Sequence, residues 1–360
     1  MQALFGIIYH FIGGVASGSF YIPYKKVKDW SWETYWLVGG LFSWLIVPPL
    51  MAWITIPGFT TIIAEAEFST LFWTFFWGIL WGIGGLMYGL GMRYLGMSLG
   101  NSVLLGFTSA FGALAPPIYY DLVGAQDKVT FTQLIQSTWG NVVLIGVVLC
   151  LIGIYLCGKA GFQKENELPE EKKQDSVKEF NLKKGLFVCI VSGILSAGFN
   201  YGIEAGAALA DKANELWKAA HPDETINFLF RNNVIYVVLL WGGLATNLIW
   251  CMILNAKNKT FGDYTNRKTP LLKNYLFCAA AGTTWFLQYL FYGMGESKLG
   301  NGSSSWILHM AFIILVANLW GFALKEWSGV SKKTRKTIIL GVSTIILAVI
   351  VVGYGNSLND

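Results

Sequence analysis

Apolar residues in this chain fall in long unbroken runs, separated by short stretches that hold most of the charge. A helix that crosses a bilayer needs about 20 mostly apolar residues. Ten runs meet that need, at 3–24, 34–56, 70–93, 98–120, 139–160, 184–208, 232–255, 272–295, 302–325 and 336–355. The runs are continuous, whereas the strands of a membrane barrel alternate apolar and polar positions, so helices are expected. The longest polar interruption, GFQKENELPEEKKQDSVKEFNL (161–182), carries ten charges and one proline. It reads as a solvated linker between two halves of five helices, 1–160 and 183–360. Residues 208–220 are weakly amphipathic and read equally as a helix lying flat on the outer surface or as a plain outer loop.

Composition strengthens this picture. Of 360 residues, 54% are hydrophobic, 16% aromatic and 13% charged. A soluble protein carries about 25% charged residues, which excludes a water-soluble enzyme, and a disordered chain would be poor in aromatics. The expected class is an all-α integral membrane protein. The first run has no basic residue before it, so it reads as an uncleaved span and not a signal peptide. The five cysteines (Cys150, Cys157, Cys189, Cys251, Cys278) sit in apolar runs without a CxxC pair. They read as small buried hydrophobes. Charge sets the orientation: loops after runs 1, 3, 5, 7 and 9 hold 21 of the 26 Lys and Arg residues. Acidic residues show no such bias. By the positive-inside pattern those loops are cytoplasmic, and both termini lie outside, on the periplasmic side.

The two halves resemble each other. YGLGMRYLG (88–96) and YGMGESKLG (292–300) are identical at five of nine positions at an offset of 204, which also pairs Trp81 with Trp285. GVASGSF (14–20) and GILSAGF (193–199) share Gly, Ser and Phe. Each half has an odd number of spans, so the second enters the membrane from the opposite face. The expected architecture is two inverted five-helix repeats, common among secondary transporters.

Ionisable groups in the hydrocarbon are costly and are functional candidates for that reason. His10 and His309 lie well inside their runs, while Glu204 and Glu296 lie within a turn of helix ends. The topology puts all four in the outer half, a candidate proton entry zone. A neutral His bonded between helices and a wetted Glu at a helix end are the structural alternatives. Sugars are held by amide hydrogen bonds and an aromatic face. Trp285, Gln288 and Tyr292 share one face of the eighth run; Trp81, Asn101 and Asn200 complete the candidate sugar set, and Ser17, Asn301 and Asn318 are further polar positions in the spans. HExxH, P-loop and Ser–His–Asp patterns are absent, so neither an enzyme, a metal site, a cofactor nor ATP coupling is expected.

Several blocks carry a family resemblance: IYHFIGG (8–14), FYIPYKKVKDWSWET (20–34), WGIGG (81–85), YGLGMRYLGMSLG (88–100), EFNLKKGL (179–186), SGILSAG (192–198), WFLQYLFYGMG (285–295), SWILHMAF (305–312) and LKEW (324–327). The chain resembles the L-rhamnose–proton symporter family of the drug/metabolite transporter superfamily, over nearly its whole length. The resemblance implies ten helices as inverted repeats in a bacterial inner membrane, and uptake of L-rhamnose or a related 6-deoxyhexose with a proton. Its partners would be the sugar, the proton and the bilayer, with no nucleic acid. His10, Gln288 and His309 lie inside matching motifs. Glu204 lies just outside SGILSAG, and Glu296 stands where the family also carries other residues, including His. NGSS (301–304) departs from the family pattern. An exporter or exchanger of another small metabolite on the same fold is the second reading; a sensor would lack an appended soluble domain.

Overall fold

The computed structural model describes residues 2–125, 128–167, 181–224, 226–323, 327 and 329–358, without the side chains of 92–93, 95–99, 101–102, 165, 182 and 321. Asn101 and most of the expected linker (168–180) therefore lie outside the described residues. Among the described residues the molecule is all-helical, and nine helices are long and apolar enough to cross a membrane. They are α1 (Gln2–Tyr24), α2 (Trp32–Thr55), α3 (Phe68–Gly91), α4 (Val103–Val123), α5 (Thr138–Lys164), α6 (Lys183–Ala220), α7 (Asn233–Asn258), α9 (Gly302–Trp320) and α10 (Lys332–Ser357). The remaining long helix, α8 (Leu271–Leu299), falls short of that apolarity. It carries Lys273, Asn274, Gln288 and Glu296, and most of its face beyond Ala281 is buried in protein. A helix surrounded by other helices needs less apolar surface than one facing lipid.

Three stretches bear on the expected boundaries. Helical backbone extends from Phe68 to Val123, yet it holds two spans, Phe68–Gly91 and Val103–Val123, as expected from the runs at 70–93 and 98–120. A straight helix of 56 residues would be about 84 Å long, far more than a bilayer core. The chain nevertheless reverses: Gly84 and Gly91 pack on Ser196 and Cys189, whereas Leu104 and Thr108 pack on Gly193, and Gly112 accepts from Asn200. α3 thus runs antiparallel to α6 and α4 runs parallel to it. Secondly, residues 161–167 are not linker but the last turns of a helix that extends to Glu167. Glu167 accepts hydrogen bonds from the N–H and hydroxyl of Ser331 and from the Thr334 hydroxyl, which hold its carboxyl below the usual range and tie α5 to the start of α10. Thirdly, 208–220 is not a plain loop. Ala207–Ala220 is a helix with Leu209, Ala210 and Ala213 buried, anchored where the Asn214 side chain accepts from the Phe228 N–H.

Glycines set the helix crossings. Gly6, Gly13, Gly14 and Gly18 of α1 pack on Leu299, on Gln288 with His309, on Phe312 and on Val316. α1 therefore runs antiparallel to α8 and parallel to α9, the relation that α6 has to α3 and α4. Likewise Gly242 of α7 meets the Phe75 carbonyl of α3, and Gly282 of α8 meets the Gly39 carbonyl of α2. Small residues let backbones approach this closely in lipid. The Gly282→Ala variant must push α2 and α8 apart. We expect a stability loss of about 1–3 kcal/mol, seen as a lower thermal midpoint of the detergent-solubilised protein. An unchanged midpoint would mean that the crossing has slack. The five cysteines are all buried and unpaired, as expected.

Candidate transport site

Local sequence shapes the centre of the bundle. In α2, Leu41–Ile46 forms a π-helical turn, followed after Val47 by Pro48 and Pro49. Proline has no N–H to give, so the preceding turn cannot close as a regular helix. The widened turn carries Trp44, which meets Trp285 of α8 edge-on, 5.9 Å between ring centroids at 90°. Trp285 lies 5.6 Å from Trp81 of α3, and Trp36 lies 6.1 Å from Trp44. Ser43 steadies the turn, its hydroxyl donating to the carbonyls of Gly39 and Gly282.

These four tryptophans line a cavity of about 780 Å³. That lies within the roughly 300–1,000 Å³ of small-molecule sites. Ser17, Ser196, Asn247 and Asn318 are polar members of its wall. Asn247 accepts from the Trp36 indole N–H at 3.0 Å and donates to the Gly243 carbonyl, so its amide is held in one orientation. The cavity reaches Trp32, Lys164 and Trp327, all at the end of the bundle that bears most of the basic residues. Lys164 lies over the Trp327 ring at 5.0 Å.

Beyond Trp285, toward the end that holds both termini, the bundle closes. Gln288, one turn on, donates to the Trp285 carbonyl and is buried, and it does not line the cavity. A further turn brings Tyr292. Its ring lies 5.4 Å from His10 and 5.3 Å from His309, and the two imidazoles are 5.9 Å apart. The Tyr292 hydroxyl donates to the Asn200 carbonyl oxygen at 3.3 Å, and the Asn200 amide donates to the Gly112 carbonyl at 2.8 Å. These four side chains are essentially inaccessible to solvent. None of the four imidazole nitrogens has a hydrogen-bond partner, nor has the Ser305 hydroxyl one turn from His309. Each buried polar atom left so costs about 1–3 kcal/mol, and four of them fall in this one pair of rings.

Two carboxylates cap this cluster. Glu296 is held by Arg231 at 3.2 Å and by the Asn232 amide at 2.7 Å. Glu204 accepts from the Tyr120 hydroxyl at 2.5 Å and pairs with Lys128 at 3.3 Å.

The expected residues thus fall into two groups. Trp81 and Trp285 meet on the cavity wall, while His10, His309, Tyr292, Asn200, Glu204 and Glu296 lie beyond Gln288, with His10, His309, Tyr292 and Asn200 in one cluster. Tyr292, Asn200 and Gln288 do not line the cavity wall that carries the tryptophan pair. Sequence reading missed Trp36, Trp44, Asn247 and Arg231. The Pro48–Pro49 pair after an apolar run was the available signal for Trp44, and a lone arginine at the less basic end was the signal for Arg231.

A family model described as L-rhamnose-proton symport protein matches residues 2–358. The chain belongs to the L-rhamnose-proton symport family. It is 38% identical over 357 residues to the L-rhamnose-proton symporter of Yersinia pestis (strain Pestoides F), covering 98% of both chains. The L-rhamnose-proton symporter of Pectobacterium carotovorum subsp. carotovorum (strain PC1) is similar to the same extent, with 38% identity and 98% of each chain covered. Members of this symport family are transporters, not enzymes, and this chain is a multi-pass membrane protein of that kind.

Proposed function

We propose that this protein imports L-rhamnose together with a proton across the bacterial inner membrane by alternating access. The observation that carries the reading is the stacking order along the bundle: a tryptophan-lined cavity, a Gln288 layer, then two solvent-free histidines. The matched relatives, named for rhamnose and proton, agree with it. Trp81, Trp285, Trp44 and Trp36 offer aromatic faces to the apolar side of a pyranose ring, and Asn247, Ser17 and Asn318 offer hydrogen bonds to its hydroxyls. His309 or His10 takes the proton. Only one of them carries it at a time, because two positive rings 5.9 Å apart repel.

The proposal includes ten spans, with α8 as the tenth, arranged as inverted repeats in the two halves of the chain, joined by a linker that follows Glu167. The matching partnerships of α1 with α8 and α9, and of α6 with α3 and α4, support it. The basic end is then cytoplasmic and both termini are periplasmic. In that frame the cavity opens to the cytoplasm, and the Arg231–Glu296–Asn232 cluster belongs to the closed periplasmic side.

The test is external pH in a lightly buffered suspension of de-energised cells that express the protein. L-Rhamnose should cause prompt alkalinisation that is absent in non-expressing cells. Rhamnose uptake that depends on sodium and leaves pH unchanged would overturn proton coupling.

A further inference from the structure

We propose that Tyr292 and Asn200 are not sugar ligands but the proton-entry path to the histidine pair, with Glu204 as its outer end. This rests on the proton-symport reading above. Neither side chain lines the cavity, and both are buried against the histidines. Asn200 and Glu204 lie four residues apart in the helix Gly198–Ala205, so they share one face, with Glu204 one turn farther out. The Gly112 carbonyl takes the Asn200 amide N–H and leaves the amide oxygen turned to the Tyr292 hydroxyl. That bond points the Tyr292 O–H at Asn200 in this closed state and holds the phenol beside the two imidazole rings, whose nitrogens have no partner.

The outer end is distinguished by its charge environment. Glu296, one turn out from Tyr292, is tied to Arg231 and Asn232, and Arg231 also stands 3.9 Å from Asp211. Glu204 instead is a quarter exposed, and its basic partner Lys128 is 42% exposed. A Cβ on Gly302 would lie 3.1 Å from its carboxylate, so Glu204 sits over the first turn of α9, whose inward face continues through Ser305 to His309. The other titratable groups facing the path are Tyr120 at Glu204, and Tyr236 and Glu296 near Tyr292. When the periplasmic side opens, a water bridges Glu204 to Tyr292. The Tyr292 hydroxyl turns from Asn200 to an imidazole nitrogen; the carboxyl passes a proton to the water, the water passes one to the Tyr292 oxygen, and the Tyr292 O–H proton moves to that nitrogen. One proton is transferred and Tyr292 ends unchanged. Asn200 is a positioning residue in this sequence, since it only orients the phenol.

The experiment uses the full chain in lipid vesicles, with radiolabelled L-rhamnose as the probe. It compares uptake driven by an acid exterior with rhamnose–rhamnose counterflow, which needs no net proton movement. Tyr292→Phe and Glu204→Gln should each lower proton-driven uptake about tenfold or more and flatten its dependence on external pH. Counterflow should keep its half-saturation and rate within about twofold, which also shows that the variants fold. Asn200→Ala should act in the same direction, and Asn200→Asp, which keeps an acceptor oxygen, should restore part of the loss. A raised counterflow half-saturation in Tyr292→Phe, of the kind expected for Trp285→Ala, would make Tyr292 a sugar ligand and overturn the proposal. Unchanged proton-driven uptake in both Tyr292→Phe and Glu204→Gln would overturn it as well. If Tyr292→Phe fails to fold, Glu204→Gln at the surface decides. Wild-type protein that shows counterflow but no proton-driven uptake would instead sink the symport reading itself.

Discussion

His309→Ala should hold intracellular rhamnose at the external level, an accumulation ratio of about one, while counterflow continues. The imidazole lies at the centre of the closed periplasmic half, with rings of His10 and Tyr292 on two sides and Gly13 of α1 against a third. Both of its nitrogens are unpartnered, so no structural hydrogen bond is lost when they go. What goes is a proton-binding site. Binding linkage is reciprocal: a proton that favours sugar binding is itself favoured by sugar to the same degree. In the wild type the half-saturation for rhamnose should therefore fall as the external pH falls, and in the variant it should not move. His309→Gln fills a similar volume without taking a proton, and it separates loss of packing from loss of coupling. Uphill uptake at the wild-type level in either variant would remove His309 from the coupling step and leave His10.

Trp285→Ala should raise the half-saturation for rhamnose about 10- to 100-fold in both net uptake and counterflow, a loss of roughly 1.4–3 kcal/mol. Trp285 is the residue through which the cavity wall is assembled. It touches Trp44 on the π turn of α2, Trp81 on α3 and, at 4.9 Å, Tyr289 on its own helix. Removing it takes away one platform and frees two others to rotate. Trp285→Phe keeps an aromatic face and should recover most of the affinity. The pH dependence of the residual uptake should match the wild type, because the histidines lie beyond Gln288 and do not touch Trp285. A variant with unchanged half-saturation would mean that the sugar binds nearer the cavity mouth, toward Trp32 and Trp327.

The chain's periodicity and composition determined the class on their own. Runs of about 20 apolar residues have no stable place in water, and in lipid only a helix satisfies their backbone. Membrane identity, helix positions and the linkage of Trp81 with Trp285 were legible for that reason, and so was the burial of five cysteines. α8 shows the limit: its helix is plain in the sequence, but its polar residues make sense only because neighbouring helices surround it. The reversal between α3 and α4 was legible in the two separate runs and in Gly96, Ser98, Gly100 and Asn101 at their junction, and the opposite running of the α6 contacts on the two arms agrees with it.

The site divides in the same way. Which residues were costly to bury, His10, His309, Glu204 and Glu296, was a property of residue type and needed no structure. Their grouping was not. Gln288, Tyr292 and Trp285 share a helix face, and a one-dimensional reading puts them in one site. Successive turns along that face, however, step about 5 Å deeper each time, and carry Trp285 to the cavity and Tyr292 to the histidines. Asn247 was hidden because a helix crossing decides what its side chain meets; for Trp44 the Pro48–Pro49 pair marked the widened turn but not its packing on Trp285, and both contacts join residues more than 200 apart in sequence. Hydrophobic periodicity is local and survives in the sequence; the meeting of side chains from five or six helices is tertiary, and only packing decides it.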